Sequence, residues 1–318
     1  MDISFIIVNW NTKALLQNCL ESILKTVDIL TYEIIVVDNA SSDGSVEMLA
    51  RQYPEVRVIG NKENRGFGVA NNQGFAVMQG KYALLINTDA VLTDQAVKKL
   101  WSFAEGYPQA AIVCGQLLNA DGTKQNSIAS FPTLLTMATN TSLLEYLFPG
   151  TYPSKRYDHS KPLEVDSAIG ACMMIRKEAL DKVGFFDDRY FFFFEETDMA
   201  YAMRHAGWKI YQVPDALIYH LQGQSIGHNA RSRIEFYRSR YQFLNKWHSK
   251  AYYQIASIII ILRLLVNILS VSLGLFFTLG MSTSLKNKLS TYWQILQWHL
   301  PGPTGKSQMK DKNNCEPA

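Results

Sequence analysis

Hydrophobic residues fall into two alternating rhythms over the first third of the chain. Ile3-Ser-Phe-Ile-Ile-Val8 is a short apolar run closed by Asn9-Trp10-Asn11. A run of that length between turn residues predicts a strand covered on both faces. Leu15, Leu16, Cys19, Leu20, Ile23 and Leu24 then recur at helical spacing. Glu33–Val37, Val56–Ile59, Tyr82–Ile86 and Ala111–Cys114 repeat the strand signature, while Gly66–Met78 and Ala96–Glu105 read as helices. Ser42 or Asp43 is placed to cap the helix after Gly44. Strand and helix alternating through short connections predict an α/β sheet, mixed and largely parallel, with helices on both faces. Ligands of such sheets sit beyond the carboxyl ends of the strands. Asp38 and Asp89 each fall just after a strand, so both are expected in one crevice.

The pattern loosens from Asn119 to Lys161, where four prolines punctuate polar and aromatic residues from Pro132 to Pro162. Long irregular stretches in compact domains usually carry function. Beyond it, Lys177–Val183 reads as a short helix, and Gly184–Asp198 is aromatic and acidic, leading into a helix that runs through Arg204. Ile210–Val213 and Ala216–Tyr219 read as two short strands ending at His220. The tail changes character: residues 231–250 are basic and aromatic, and Ile255–Met281 is almost entirely apolar. As a helix, Leu264–Met281 would extend about 27 Å, close to the roughly 30 Å hydrocarbon core of a bilayer. Arg263 at its edge can snorkel. Basic residues flank both ends, so the positive-inside rule gives no orientation. Three readings stay open: a span, a segment lying in the plane with Trp293 and Trp298 at the interface, and a buried helical hairpin. The expected division is an α/β domain over 1–245, a membrane-associating or transmembrane helical segment over 246–300, and a polar, disordered tail over 301–318.

Composition narrows the picture further. A chain of 318 residues, 47% hydrophobic and 19% charged, can bury a sizeable core. A net charge of +3 without a basic run in the first 230 residues gives no footprint for nucleic acid. The four cysteines are scattered and lack zinc-ligand spacing, as expected of small buried residues in a reducing compartment. The first apolar run follows an acid and is cut off early, so it lacks the form of an export signal, and a cytoplasmic location is expected.

Five clusters could carry chemistry. Val36–Ser45 sets Asp38 and Asp43 among turn residues, suiting either polar contacts to a heterocycle or an Asx turn. Asn64–Gly74 nearly matches the dinucleotide fingerprint, but Asn71 replaces the third glycine and the segment does not follow the first strand, which argues against NAD. Arg65 beside a helix start could still meet a phosphate, or the glycines could simply permit close packing. Asn87-Thr-Asp89 offers a carboxylate for a hard divalent cation that bridges phosphates, or a loop Asp that caps a helix. Glu195-Glu-Thr-Asp198 follows four phenylalanines. Mutual repulsion and desolvation there would raise a carboxylate pKa toward that of a general base. Alternatively the acids favour the helix dipole, which fits Asp198. His220, at a strand end, could bind metal or phosphate or be structural.

The order of these motifs resembles the family-2 inverting glycosyltransferases of GT-A fold. Its elements are a strand with Asn-Trp-Asn, Val-Val-Asp-Asn-Ala-Ser-x-Asp-Gly-Ser, Asn-x-Gly-Phe-Gly-x-Ala-Asn-Asn-x-Gly, Asn-x-Asp, Gly-Ala-x-Met-x-Ile-Arg, Phe-Asp-x-x-Phe-Phe-x-x-x-Glu-Glu-x-Asp and a closing His. It covers about residues 1–245 and is nearest to the bacterial rhamnosyltransferase-like branch. The resemblance implies that Asp38 holds the donor nucleobase, with Asp43 a weaker nucleotide contact and Arg65 and Asn87 beside the nucleotide. It implies that Asp89, with Asn87 in place of the first Asp of an Asp-x-Asp motif, binds Mg2+ or Mn2+ with His220. Glu196 matches the catalytic base, with Glu195 as the competing assignment. The implied reaction moves a hexosyl or deoxyhexosyl group, rhamnosyl among the candidates, from a dTDP- or UDP-linked sugar. The implied acceptor is a saccharide or polyprenyl-linked glycan at the cytoplasmic face of the cell membrane, with its contacts in the Asn119–Lys161 stretch. The rival expectation is a non-catalytic nucleotide-sugar or carbohydrate-binding protein of the same fold, docked on a membrane.

Overall fold

The computed structural model describes residues 1–153, 159–221 and 230–302. The Gly223–Gly227 segment, His228 and residues 303–318 lie outside the described residues. The elements in chain order are β1 (Ile3–Asn9), α1 (Lys13–Thr26), β2 (Tyr32–Asp38), α2 (Ser45–Gln52), β3 (Arg57–Gly60), α3 (Phe67–Phe75), β4 (Tyr82–Ile86), β5 (Ala90–Leu92), α4 (Ala96–Gly106) and β6 (Ala110–Leu118). There follow β7 (Ile128–Ala129), α5 (Leu134–Ala138), α6 (Thr141–Leu147), β8 (Leu163–Glu164), β9 (Ser167–Ala168), β10 (Cys172–Arg176), α7 (Lys177–Val183), α8 (Glu195–His205) and β11 (Lys209–His220). Three helices close the described chain: α9 (Ala230–Trp247), α10 (Lys250–Phe277) and α11 (Thr283–His299).

The chain forms two compact units. The first holds Met1–Phe131, the segment ending at Phe191, and Glu195 through β11. Its sheet runs β3-β2-β1-β4-β10-β6-β11-β5, with β8 added on β11. β3, β2, β1 and β4 are parallel; β10 runs antiparallel to both β4 and β6, and β11 returns parallel to β6. This is the expected mixed α/β sheet. Its strands read as unbroken apolar runs because alternate residues serve two cores. Ile3, Phe5 and Ile7 of β1 face the cluster that holds Leu16, Leu20 and Leu100, while Ile6 faces Ala70, Phe75 and Met199. Helix α1 turns Leu16, Cys19, Leu20 and Ile23 inward, as the helical spacing predicts.

One expectation changes here. The paired strands Ile210–Val213 and Ala216–Tyr219 are one strand, β11, whose register on β6 shifts between Gln212 and Leu217. Pro214 lies inside that shift, where a residue without an N–H costs the ladder least. The helix after Gly44 has Gly44 itself at the N-cap position, in the left-handed region with φ 81°, while the expected side-chain cap comes from Asp43 one residue earlier, whose carboxylate accepts from the Ser45 N–H.

The second unit gathers Pro132–Tyr152, Phe192–Phe194 and the chain from α9 on. The boundary therefore falls before α9, not at residue 245. The reason is packing: Tyr241 and Leu244 of α9 share a cluster with Met137 of α5 and with Ala256 and Ile260 of α10. The irregular stretch also contains two helices too short to show a period, five and seven residues long. Local hydrogen bonds define them instead, a capping box between Thr133 and Thr136 and an Asn140 cap on Ser142 N–H.

Candidate active site

In the first unit, β1, β2 and β4 end on one edge of the sheet. β10 begins there because it is antiparallel to β4, and β11 ends there. Asn9, Asp38, Asn87–Asp89, Gly170–Ala171 and His220 are thereby brought to a single rim, as the sheet topology requires.

Asp38 is 2% exposed and faces Asn9 across the β1–β2 ladder. Its Oδ1 accepts from Asn9 Nδ2 at 2.8 Å, and its Oδ2 accepts from the Ser41 N–H at 2.9 Å. The Thr12 hydroxyl donates either to Asn9 Oδ1 at 2.8 Å or to Thr88 Oγ1 at 2.9 Å, which connects this network to the turn that carries Asp89. Asp43 works differently. Its Oδ2 accepts from the Lys13 N–H at 2.7 Å, and its Oδ1 accepts from the N–H and hydroxyl of Ser45. Burial alone would raise its pKa, but these hydrogen bonds outweigh it and hold the carboxyl below its usual value. Asp43 thus ties the first residues of α1 and α2 together. These bonds give Asp43 a structural role in the fold.

Asp89 and His220 are both buried, at 3% and 7% exposure, and Oδ1 of one lies 3.4 Å from Nε2 of the other. The pairing of β5 with β11 sets Ala90 opposite His220, which fixes this approach. The second ring nitrogen, Nδ1, lies 2.8 Å from Gln125 Oε1. Gln125 Nε2 donates to the His220 carbonyl at 2.7 Å and to Asn119 Oδ1 at 2.7 Å, so the amide has only one orientation. Gln125 Oε1 is therefore an acceptor, and Nδ1 must carry the proton. The Nε2 of a neutral ring then turns a lone pair toward a carboxylate oxygen. Two electron-rich atoms at that distance call for a positive charge between them, either a proton or a cation. The pair fits a divalent ion that takes its other ligands from phosphate oxygens and water. No cluster of three or more His, Cys, Asp or Glu suited to a metal occurs among the described residues.

The acidic helix α8 opens with Glu195, Glu196 and Asp198 in its first turn. Asp198 is buried and accepts from the Tyr190 hydroxyl at 3.1 Å. Glu195 is 3% exposed, and its Cβ lies 3.6 Å from where a side chain on Gly68 would begin. Glu196 is half-buried. Desolvation dominates its environment and pushes its pKa up to about 7, against backbone N–H groups of Glu196, Thr197 and Gly170 that favour the charged form. Its Oε2 is shut away from solvent without a hydrogen-bond partner among the described residues. The two residues before α8, Phe193 and Phe194, hold φ of 69° and 72°, a left-handed conformation uncommon for bulky side chains.

Two glycine positions seat this helix. Gly66, at φ 86°, brings the start of α3 so near Phe191 that a Cβ would sit 2.4 Å from the Phe191 carbonyl oxygen. The next N–H, of Phe67, donates to that oxygen at 3.0 Å. The Gly-x-Gly segment is thus a packing device. Arg65 beside it is exposed. Gly170 N–H reaches the Glu196 carboxylate, and the carbonyl of the adjacent Ala171 accepts from Asn87 N–H at 2.9 Å. Two residues of backbone therefore separate Glu196 from the Asn87–Asp89 turn. Gln125 escapes a reading of the sequence, and Gly170 is seen there only as the opening of the Gly-Ala-x-Met-x-Ile-Arg motif, without a role. Gln125 lies in an irregular stretch, and only its partners reveal its role.

The rim of the mixed α/β sheet thus carries a paired carboxylate and imidazole, with a desolvated carboxylate close by. The chain belongs to glycosyl transferase family 2, whose family model matches residues 4–184, more than half of it. It is 27% identical over 248 residues to an N-acetylglucosaminyl-diphospho-decaprenol L-rhamnosyltransferase of Mycobacterium tuberculosis, covering 72% of this chain and 81% of the relative. It is 26% identical over 222 residues to the low-salt glycan biosynthesis hexosyltransferase Agl10 of Haloferax volcanii, covering 68% and 66%. Residues 1–349 of S. aureus TarS share the fold, with a TM-score of 0.50 at 17% identity, covering 93% of this chain and 81% of that one. The fold is GT-A, and the chain is a glycosyltransferase.

Proposed function

We propose that the protein is an inverting, metal-dependent glycosyltransferase of cell-surface polysaccharide synthesis. It moves a hexosyl or deoxyhexosyl group from a nucleoside-diphosphate sugar to a saccharide or polyprenyl-linked acceptor at the cytoplasmic face of the membrane. A rhamnosyl donor, dTDP- or UDP-linked, is favoured by the likeness to a rhamnosyltransferase over most of both chains. The observation that carries the reading is Glu196: a carboxylate with proton affinity raised to about 7 and one unsatisfied oxygen, two backbone residues from the Asp89 turn.

Glu196 outranks Glu195 as the base because it retains solvent access, while Glu195 is packed beside Gly68. The Glu196 carboxylate takes the proton of the acceptor hydroxyl as that hydroxyl oxygen bonds to the anomeric carbon. The bond from that carbon to the diphosphate breaks in the same displacement, its electron pair leaves with the nucleoside diphosphate, and the configuration inverts. Asp89 and His220 would hold a divalent cation, which when bound would supply charge neutralisation for the leaving diphosphate. Gln125 keeps the His220 lone pair on Nε2, and Asn9 and Ser41 orient Asp38 for the donor nucleobase.

The test is nucleoside diphosphate release from UDP-, dTDP- and GDP-sugars. It is run with Mg2+ or Mn2+ and with chelator, in the presence of a lipid-linked or saccharide acceptor extract. Release from one donor that is lost with chelator, with Asp89→Asn and with Glu196→Gln is expected. Nucleotide binding without release from any donor would overturn the enzymatic reading in favour of a binding protein.

A further inference from the structure

Helix α10 is 28 residues long with a mean hydropathy of 2.4 over its most apolar stretch, of which only 11% is buried. We propose that it lies in the plane of one leaflet of an anionic membrane, embeds an exposed apolar stripe there, and does not cross the bilayer. The inference deepens the membrane part of the proposed function and is independent of the chemistry.

The stripe is regular. Ile258, Leu262, Leu265, Leu269, Leu273 and Phe276 are 44–74% exposed and follow one another at intervals of three or four residues. They make one continuous face about 27 Å long. Past the end of α10, Leu279 and Met281 are 86% and 82% exposed. The opposite face is occupied. Ala256, Ile260 and Leu264 are buried at four-residue spacing against Met137, Tyr241, Leu244, Ile234 and Ile295. Arg263 donates to the carbonyls of Thr136 and Met137, the latter at 2.9 Å.

That packing is incompatible with a span. Leu244 of α9 packs beside Ala256 and Ile260, and Ile234 packs beside Leu264, so α9 runs antiparallel along α10. A bilayer threaded by Leu264–Met281 would enclose α11, whose Leu285 packs on Gly274 near the middle of that stretch and brings Lys286 and Lys288 with it. Each charge at mid-bilayer costs roughly 2.5–3.5 kcal/mol on insertion scales. An in-plane helix submerges only its stripe, to a depth of about 5–10 Å, and leaves α9 in water.

Charge identifies the surface. Residues 231–300 contain nine Lys and Arg and one acid, Glu235. Such a surround attracts anionic headgroups. It opposes a symmetric pairing of two copies through the stripe, which would set like charge against like. Trp293, 53% exposed on α11, suits the interfacial zone.

The experiment uses the full chain and vesicles of phosphatidylcholine with or without phosphatidylglycerol. Flotation should show binding that depends on the anionic lipid. The variant Leu262→Ser/Leu269→Ser/Leu273→Ser alters only exposed positions, so its melting temperature should match the parent, while its partitioning should fall about tenfold or more. For topology, Ala251→Cys and Asn287→Cys are made separately with Cys315→Ser, the other cysteines being buried. In sealed membrane vesicles from expressing cells, an impermeant maleimide should label both or neither. Labelling of one with protection of the other would mean a span and overturn the proposal. So would undiminished flotation of the triple variant, or a dimer in solution that the triple variant dissolves without any vesicle binding. Nucleoside diphosphate release with a soluble acceptor should survive in the triple variant, which separates failure of docking from failure of the transferase reading.

Discussion

The rim of the sheet and the outer face of α10 depart from ordinary surface chemistry in opposite directions. At the rim, carboxylates have left water: Asp38, Asp89, Glu195 and Asp198 are each at most 3% exposed. On α10, leucines and phenylalanines have stayed in it. Buried polar groups and exposed apolar stripes are the two informative violations of the inside-out rule. Each is stable only if something compensates, and here the compensation differs. Asp38 and Asp43 are answered within the fold by named donors, whereas Glu196 and the α10 stripe are not fully answered by the protein.

The sharpest way to break that contrast is to neutralise the open carboxylate. Glu196→Gln keeps shape and hydrogen-bond capacity but cannot take a proton. Its kcat for sugar transfer is expected to fall about 10²–10⁴-fold with KM for the donor little changed. Glu195→Gln, at a packed position, should act mainly on stability. Equal kcat losses in the two variants would erase the distinction drawn between them.

The next largest effect tests the seat of α8. Gly66→Ala forces a Cβ onto a backbone oxygen at 2.4 Å and a side chain into φ 86°. A cost of about 2–4 kcal/mol is expected, read as a shift in denaturant midpoint at constant slope. A cost below about 0.5 kcal/mol would mean that the start of α3 and Phe191 are not held as described.

Asp38 and Asp43 make the closest pair, two carboxylates in one motif. Asp43→Ala removes acceptors for the first residues of two helices and should cost about 1–2 kcal/mol while donor KM stays unchanged. Asp38→Ala should raise donor KM as well. A KM effect at Asp43 equal to that at Asp38 would make it a nucleotide contact too.

These pairs also mark what could be read without coordinates. β1, β2 and β4 were legible because both faces are covered and each run is almost purely apolar. Asp38, Asp89 and His220 were legible because strand ends in such sheets converge by topology. The Gly-x-Gly segment was legible as special but ambiguous, since a phosphate loop and a packing contact use the same residues, and only the approach of Phe191 decides it. Gln125 was not legible at all: a glutamine in an irregular stretch has no period, and its partners His220 and Asn119 lie 95 and 6 residues away. The antiparallel placement of β10 was also hidden, because an apolar run does not record its direction. It is this reversal that brings Gly170 to Glu196.

The smallest predicted effect tests the same carboxylate without any substrate. The folded protein holds the Glu196 pKa near 7, above its ordinary value of 4.5. A group whose pKa is raised on folding contributes stability that is full below the unfolded pKa and is lost as pH rises through the folded one. Glu196 should therefore have little effect at pH 3.5, below the unfolded pKa, and be destabilising by pH 8. Glu196→Gln, which cannot ionise, should melt like the parent at pH 3.5 and above it at pH 8.5. Discounted for its partial exposure, the difference is on the order of 1 kcal/mol, or about 2–4 °C for a domain of this size. A variant that melts lower than the parent at pH 8.5 would mean that the carboxylate is stabilised as the anion in the free enzyme. Its unpartnered oxygen would then have found a donor, and the case for Glu196 over Glu195 as the base would lose its physical ground.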